Sequence, residues 1–348
     1  MTVTDRVSAD LAADAARARG DVIAALDLPG SHAAAFPLPG SGATWRLWTS
    51  LAVLGSVDLT VARAVEPHLD ALAILAEARA AGHGGEGADD DGARWGVFAA
   101  EGPGSRLVAD ESTDPTTLGG RKPWCSLAGS LDRALVTAWC GDDTRRLYAV
   151  RLGAANGVAL EEGAWVARGL PLVPSGPVSF TASVAHPVGP PGWYLERSGF
   201  AWGGMGVAAI WWGGAVGVAR RLREQLGRRE PDQVGLMHLG AVDATLHAAS
   251  TVLEHAATSV DTGDADGPAG AALALRVRRV VALSVEEVLG RVGHALGPGP
   301  LALEEEHAGR VADLQLYVRQ EHAERDAAVL GRQVLSHSAE GPDAEVLW

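Results

Sequence analysis

Residues 96–192 carry a different periodicity from the rest of the chain, and that change limits what the chain can fold into. The runs WGVFAAE, RLVADE, RALVTAWC, RLYAVRL and VSFTASVAH are short, rich in Val, Phe, Trp and Thr, and broken by Gly and Pro, so they read as strands. None is separated from the next by a helix-length crossover, which predicts an antiparallel sheet or barrel. On both sides the apolar residues return to helical spacing.

The upstream helical region, 1–95, is clearest from Trp45 to Ala81. There Leu47, Leu51, Leu54, Val61, Val65, Leu69, Leu72 and Leu75 lie on one helical face, and Pro67 is expected to kink or divide the segment. The stretch from His83 to Gly96 reads as a loop. Downstream, 193–348, four long helices are predicted near 200–227, 233–260, 269–295 and 303–336, with Asp261–Gly270 and Gly297-Pro298-Gly299-Pro300 as breaks. The expected fold class is α+β. It comprises an N-terminal helical domain (1–95), a central antiparallel β-barrel domain (96–192) and a C-terminal four-helix bundle (193–348).

Several function classes are disfavoured by composition. At 348 residues, 47% hydrophobic and 21% charged, the chain is long enough and apolar enough to bury a large core without staples. A formal charge of −14 with no basic run argues against a nucleic-acid partner. Its two cysteines, Cys125 and Cys140, lack zinc or redox spacing and read as reduced thiols. His238, His247 and His255 miss the i, i+4 spacing of a metal helix, so no metal is expected. The first twenty residues have no continuous apolar core, which predicts a helix rather than a targeting segment and suggests a cytoplasmic protein. Gly199–Ala219 is uncharged for 21 residues, enough to span a bilayer, yet its many Gly and absent Leu read as a helix buried on all faces. Burial against a second subunit, and hence a homo- or hetero-oligomer, is the expectation. The cluster Arg220-Arg221-Leu222-Arg223 with Arg228-Arg229 reads as the edge of a helix end, with a phosphate site as the alternative.

Three local segments occur in an order that resembles the acyl-CoA dehydrogenase family. Leu118-Gly-Gly-Arg-Lys-Pro-Trp-Cys-Ser-Leu-Ala-Gly-Ser-Leu-Asp132 is similar to the family's segment L-x-G-x-K-x-W-[IC]-[TS]-N-A-x-x-A-D. Upstream, Phe98-Ala-Ala-Glu101-Gly-Pro-Gly-Ser105 is similar to its flavin loop. Downstream, His294-Ala-Leu-Gly-Pro-Gly299 stands where the family has a glycine turn that reaches the dinucleotide of a neighbouring subunit. The resemblance implies FAD between barrel, bundle and partner subunit, with an acyl-CoA or other acyl thioester as substrate and an electron-transfer acceptor. Carried over residue by residue, it places Ala100, Glu101, Gly104, Ser105, Trp124, Ser126, Gly297 and Gly299 at the cofactor.

The residues themselves leave alternatives. If the segment is extended, Lys122, Trp124 and Ser126 share one face, and an indole beside a hydroxyl suits a flat heteroaromatic ring as well as a core. Lys122, the one lysine, reads either as a charge near a phosphate or as a solvated hairpin residue. The family's base is a Glu nine residues beyond an Arg, and counting from Arg310 reaches Arg319, which cannot be a base. Glu321 replaces it only if the local backbone differs, because two residues turn a helix by about 200°. Glu304–Glu306 reads as a helix N-terminus and Glu324 as solvated. The expected activity is α,β-desaturation of an acyl thioester. A base-less subunit of a heteromeric dehydrogenase and a flavin monooxygenase on the same fold are the alternatives.

Overall fold

The computed structural model describes residues 3–84, 87, 92–161, 163–228 and 230–339. α1 (Val3–Arg17) is followed by two short helices, α2 (Val22–Leu26) and α3 (Leu28–Ser31), and then by α4 (Thr44–Val57) and α5 (Leu59–Ala80). The division expected at Pro67 falls at Asp58 instead. Asp58 leaves helical geometry (φ −161°, ψ 126°) and its carboxylate caps α5 by accepting from Val61 N at 3.0 Å. Pro67 stays inside α5. The loop read at 83–96 falls partly outside the described residues.

The sheet contains β1 (Trp95–Phe98), β2 (Leu107–Asp110), β3 (Thr117–Lys122), β4 (Arg133–Trp139), β5 (Arg145–Arg151), β6 (Val158–Leu160) and β7 (Val178–Val188). Its order β4-β2-β3-β7-β5 closes through the β4–β5 pairing, so the sheet curls into a barrel. Most pairs are antiparallel, whereas β1 and β2 both run parallel to β4. Two strands have no sequence signal. β6 is three residues long, and β3 contains Gly119-Gly120, which reads as a turn. Gly120 instead marks a bulge at φ 120°, where an added Cβ would lie 2.2 Å from Arg106 O.

The C-terminal region holds α6 (Trp193–Glu196), α7 (Ser198–Leu226), α8 (Gln233–Thr262), α9 (Gly267–Leu296), α10 (Gly299–Leu303), α11 (Glu305–Tyr317) and α12 (Glu324–Ala339). The helix predicted over 303–336 is thus broken by a 3-10 turn at Val318–Gln320, by extended Glu321 and by Ala323 at φ 49°. Glu305 and Glu306 do occupy the first turn of a helix. Among the described residues no helix is long and apolar enough to cross a membrane.

Most of the uncharged segment of α7 packs against α4, α8, α9 and α11 of its own chain, while Phe200 stays 45% exposed. Its glycines let two backbones touch. An added Cβ on Gly213 would fall 2.1 Å from Ala52 O, and one on Gly55 would fall 2.7 Å from Ile210 O. One apolar core consequently joins the first helices to the last, running from Leu11, Trp48 and Leu54 to Met205, Trp211, Val281 and Tyr317. The barrel has a core of its own around Phe98, Leu118, Tyr148 and Phe180. Ile74 and Leu75 of α5 pack with Trp95, Leu135 and Leu147 on its outside.

Three arginines converge on the last turn of α4, where the helix dipole favours cations. Arg19 and Arg310 each donate to Val57 O at 3.1 Å, and Arg220 donates to Ser56 O at 3.4 Å. Arg221 makes a bidentate pair with Glu304. That accounts for these members of the basic cluster as helix-end contacts, and Arg229 lies outside the described residues.

Gly213→Ala should lower stability by at least roughly 1–3 kcal/mol, because the clashing atom is backbone and cannot turn aside. Gly240→Ala in α8, whose added Cβ meets nothing within 4 Å, should be neutral or slightly stabilising. Urea midpoints of the two variants check this.

Candidate active site

β3 ends at Lys122, and the chain then makes a left-handed turn. Trp124 has φ 59° and Leu127 has φ 60°, while Cys125 N and Leu127 N donate to Gly176 O and Pro174 O. The shared face expected for Lys122, Trp124 and Ser126 is therefore lost. Lys122 is 1% exposed and points into the barrel, whereas Trp124 is 56% exposed on its rim, edge-on to Trp165. An indole held open to solvent by an uncommon backbone conformation is a costly arrangement for packing alone.

Lys122 is neither solvated nor free for a phosphate. Its Nζ donates to Glu101 Oε1 at 2.6 Å and to Thr137 Oγ1 at 2.9 Å, and burial pulls its pKa down against the pull of Glu101. Glu101 also accepts from Arg145 at 3.3 Å. The loop 99–105 is thereby tied to the barrel interior through the Glu101 side chain, leaving its backbone and small residues to face outward. Ala100 and Gly104 are exposed, and an added Cβ on Gly104 would meet nothing. Ser105 Oγ accepts from Arg121, which holds Glu161 bidentately.

Ser126 connects the barrel to the helices. Its hydroxyl lies 2.7 Å from Ser175 Oγ and 3.1 Å from Arg63 Nη2 of α5. Arg63 in turn meets Glu66 at 3.3 Å and lies 5.8 Å from the centroid of the Tyr317 ring. Glu66 is mostly buried. Desolvation, only partly offset by Arg63, raises its pKa from 4.5 to about 7. Tyr317 is 1% exposed and its hydroxyl has no partner among the described residues. Arg63, Glu66, Ser175 and Tyr317 were not singled out in the sequence. The available signal was Arg63, Glu66 and Asp70, charged residues at i, i+3 and i+7 among the apolar residues of the first half of α5.

The turn after α11 settles the geometry at 319 and 321. Arg319 has a 55% exposed side chain and pairs with Glu286. Glu321 leaves the helix in an extended conformation (φ −81°, ψ 127°), so the local backbone does differ and its side chain is 4% exposed. Oε2 lies 3.5 Å from Arg279 Nη1, while Oε1 has no partner among the described residues. Arg278, one residue before Arg279, ties this turn to α7 by donating to Gln320 O and Gly204 O, both at 2.8 Å. Gly297 (φ 66°) and Gly299 lie at the turn between α9 and α10. Among the described residues there is no group of three His, Cys, Asp or Glu side chains that could hold a metal ion.

The buried Glu66 carries a stability signature. A folded pKa of about 7 against 4.5 means that the folded state binds the extra proton, so stability falls as pH rises through that window. Glu66→Gln removes the effect. From pH 5 to pH 8 the wild type should lose up to about 3 kcal/mol relative to Glu66→Gln, as measured by urea unfolding at both pH values.

Comparison with known proteins places this geometry on a frame. No family model matches the sequence, and no curated protein matches it. Solved structures do. Dibenzothiophene monooxygenase TdsC from Paenibacillus sp. A11-2 superposes with TM-score 0.75 at 18% identity, over 97% of this chain and 98% of that one. KijD3, solved with FMN and a dTDP-amino-keto sugar, gives 0.75 at 16% identity over 95% and 92%. Butyryl-CoA dehydrogenase from Megasphaera elsdenii gives 0.76 at 16% identity over 96% and 99%. The chain, helices around a barrel with a closed helical core, has the acyl-CoA dehydrogenase-like fold.

Proposed function

We propose that the protein is a flavin-dependent oxidoreductase whose isoalloxazine ring rests on Trp124 and Ser126. The observation that carries this reading is Trp124 itself, an indole exposed on the barrel rim beside a hydroxyl that is already held by a guanidinium. The indole offers contact area to a flat ring. Ser126 and Arg63 offer a donor and a positive charge to its polar edge, where negative charge collects on reduction. The exposed small residues of the 99–105 loop, Ala100 and Gly104 among them, allow close approach. A bound flavin would supply two-electron transfer and, when reduced, reaction with dioxygen.

Of the two reaction classes, we favour monooxygenation over α,β-desaturation of an acyl thioester. Desaturation needs a carboxylate that removes the α-proton, and the position expected for it is Arg319, which faces outward and pairs with Glu286. Oxygenation makes no such demand. The dehydrogenase solved on this fold keeps desaturation as a second reading, with Glu321 as its base, because burial and an unpartnered oxygen suit a proton acceptor in a dry site. The flavin is read as FAD if the Gly297–Gly299 turn of a second subunit reaches the dinucleotide, and as FMN if the protein follows TdsC and KijD3, both solved with FMN.

The purified protein should be yellow or turn yellow with added flavin, and chromatography of the released cofactor identifies it. Trp124→Ala should weaken flavin binding by roughly tenfold or more. Monooxygenation predicts that acyl-CoA thioesters leave the oxidised spectrum unchanged without oxygen. Anaerobic bleaching, slowed about a hundredfold or more in Glu321→Gln, would favour desaturation instead. Protein that takes up no flavin, alone or with a homologue, would end the flavin reading.

A further inference from the structure

A cavity of about 80 Å³ lies between α4, α5 and α7, beside the flavin bed but not part of it. Its walls include Phe36, Trp48, Leu69 and Trp202, and it reaches the surface at Leu38, which is 46% exposed. Two ionisable side chains line it, Glu66 and Asp70, four residues apart on α5, and both are acids. Neither is saturated by its cation. Glu66 meets Arg63 at 3.3 Å and Asp70 meets Arg197 at 3.9 Å, while a carboxylate has about four acceptor positions. Burial raises the pKa of both acids, that of Glu66 to about 7, so below that pH Glu66 holds a proton in the cavity. A ligand that brings its own positive charge can replace a proton without changing the local charge balance. Aromatic walls also favour a cation. The volume is about half that of the roughly 150 Å³ cavity known to hold benzene, which limits the occupant to a few heavy atoms.

We propose that this cavity binds the ammonium head of a small aliphatic amine, with Glu66 as its counter-ion. Glu66 also leads through Arg63 to Ser126. If the flavin reading above holds, the amine end of the substrate is thereby anchored next to the flavin bed, but binding to the cavity does not depend on that reading.

The proposal fixes a pH dependence. The groups around Glu66 are Arg63 and Asp70 on α5, Arg278 from α9, Tyr317 from α11 and Tyr194 from α6. From α4 and α7 the cavity is lined only by apolar side chains, indoles and glycines. A guanidinium or a phenol does not ordinarily change its charge between pH 6 and 8, so the change falls on Glu66, whose pKa stands at about 7. Ammonium binding must expel a proton below pH 7 and should weaken there by up to about tenfold per unit.

Isopropylammonium, propan-2-ol and acetate have the same number of heavy atoms and differ in charge. Saturation-transfer NMR on the full-length protein, with and without added flavin, should show isopropylammonium binding at least tenfold more tightly than propan-2-ol, with acetate not binding. Affinity should fall from pH 8 to pH 6. Glu66→Gln should lose at least tenfold in affinity and the pH dependence while keeping its far-ultraviolet dichroism. Leu38→Trp, which narrows the opening without touching a charge, should also block binding and serves if Glu66→Gln does not fold. Equal binding of alcohol and ammonium, or unaltered ammonium affinity in either folded variant, would overturn the proposal. Selective ammonium binding by protein that takes up no flavin would uphold the amine site and remove the flavin reading. Flavin uptake without ammonium binding would do the reverse.

Discussion

The contact on which the architecture depends is the one between the backbones of α4 and α7. Side chains normally hold two helices 8–10 Å apart. Here Gly55 and Gly213 remove them at reciprocal positions, and the carbonyls of Ile210 and Ala52 occupy the space. The gain is dispersion at short range and exclusion of water from both helices. The constraint is that no larger residue fits. With α4 and α7 fixed, α5 leaves Asp58 at one angle, α9 and α11 close over α7, and the three arginines at the end of α4 find their carbonyls.

That frame brings groups from four parts of the sequence to one polar interior. Ser126 comes from the barrel, Arg63 and Glu66 from α5, Arg278 from α9 and Tyr317 from the end of α11. Desolvation is the largest influence on Glu66, Asp70, Arg278 and Tyr317 alike. Each is held where water would otherwise favour its charge or solvate its hydroxyl. A cluster of this kind stabilises a fold poorly compared with apolar packing, and strongly shifted acids concentrate at functional sites.

Five of the seven strands among the described residues and most of the long helices were legible in the sequence, because each carries its own period and its own Gly or Pro boundaries. The misses have physical causes. Pro67 looked like a helix end, but Asp58, with a side chain that caps α5, was the stronger local signal. β3 was hidden by Gly119-Gly120, since a bulge and a turn ask for the same residue. The arithmetic at Arg319 assumed a continuous helix, and the 3-10 turn after Tyr317 moved Glu321 inward while leaving Arg319 in solvent. Trp124 and Ser126 could be picked out as candidates, but not the left-handed turn that separates them from Lys122. The spacing of Arg63 and Glu66 on α5 was on view, but not the link from Arg63 to Ser126, 63 positions away, which only the fold makes.

The α4–α7 contact also bears on how the protein is made. Gly55 and Gly213 are 158 positions apart, with the whole barrel between them. A ribosome adding about 5–20 residues per second needs on the order of 10–30 s to deliver α7 after α4 has been synthesised. Throughout that interval the apolar face of α4, including Trp48, Leu51 and Leu54, lacks the helix that covers it. Until residues 198–226 are made, α4 has α1 and α5 to pack on, and the face that receives Gly213 stays open to water.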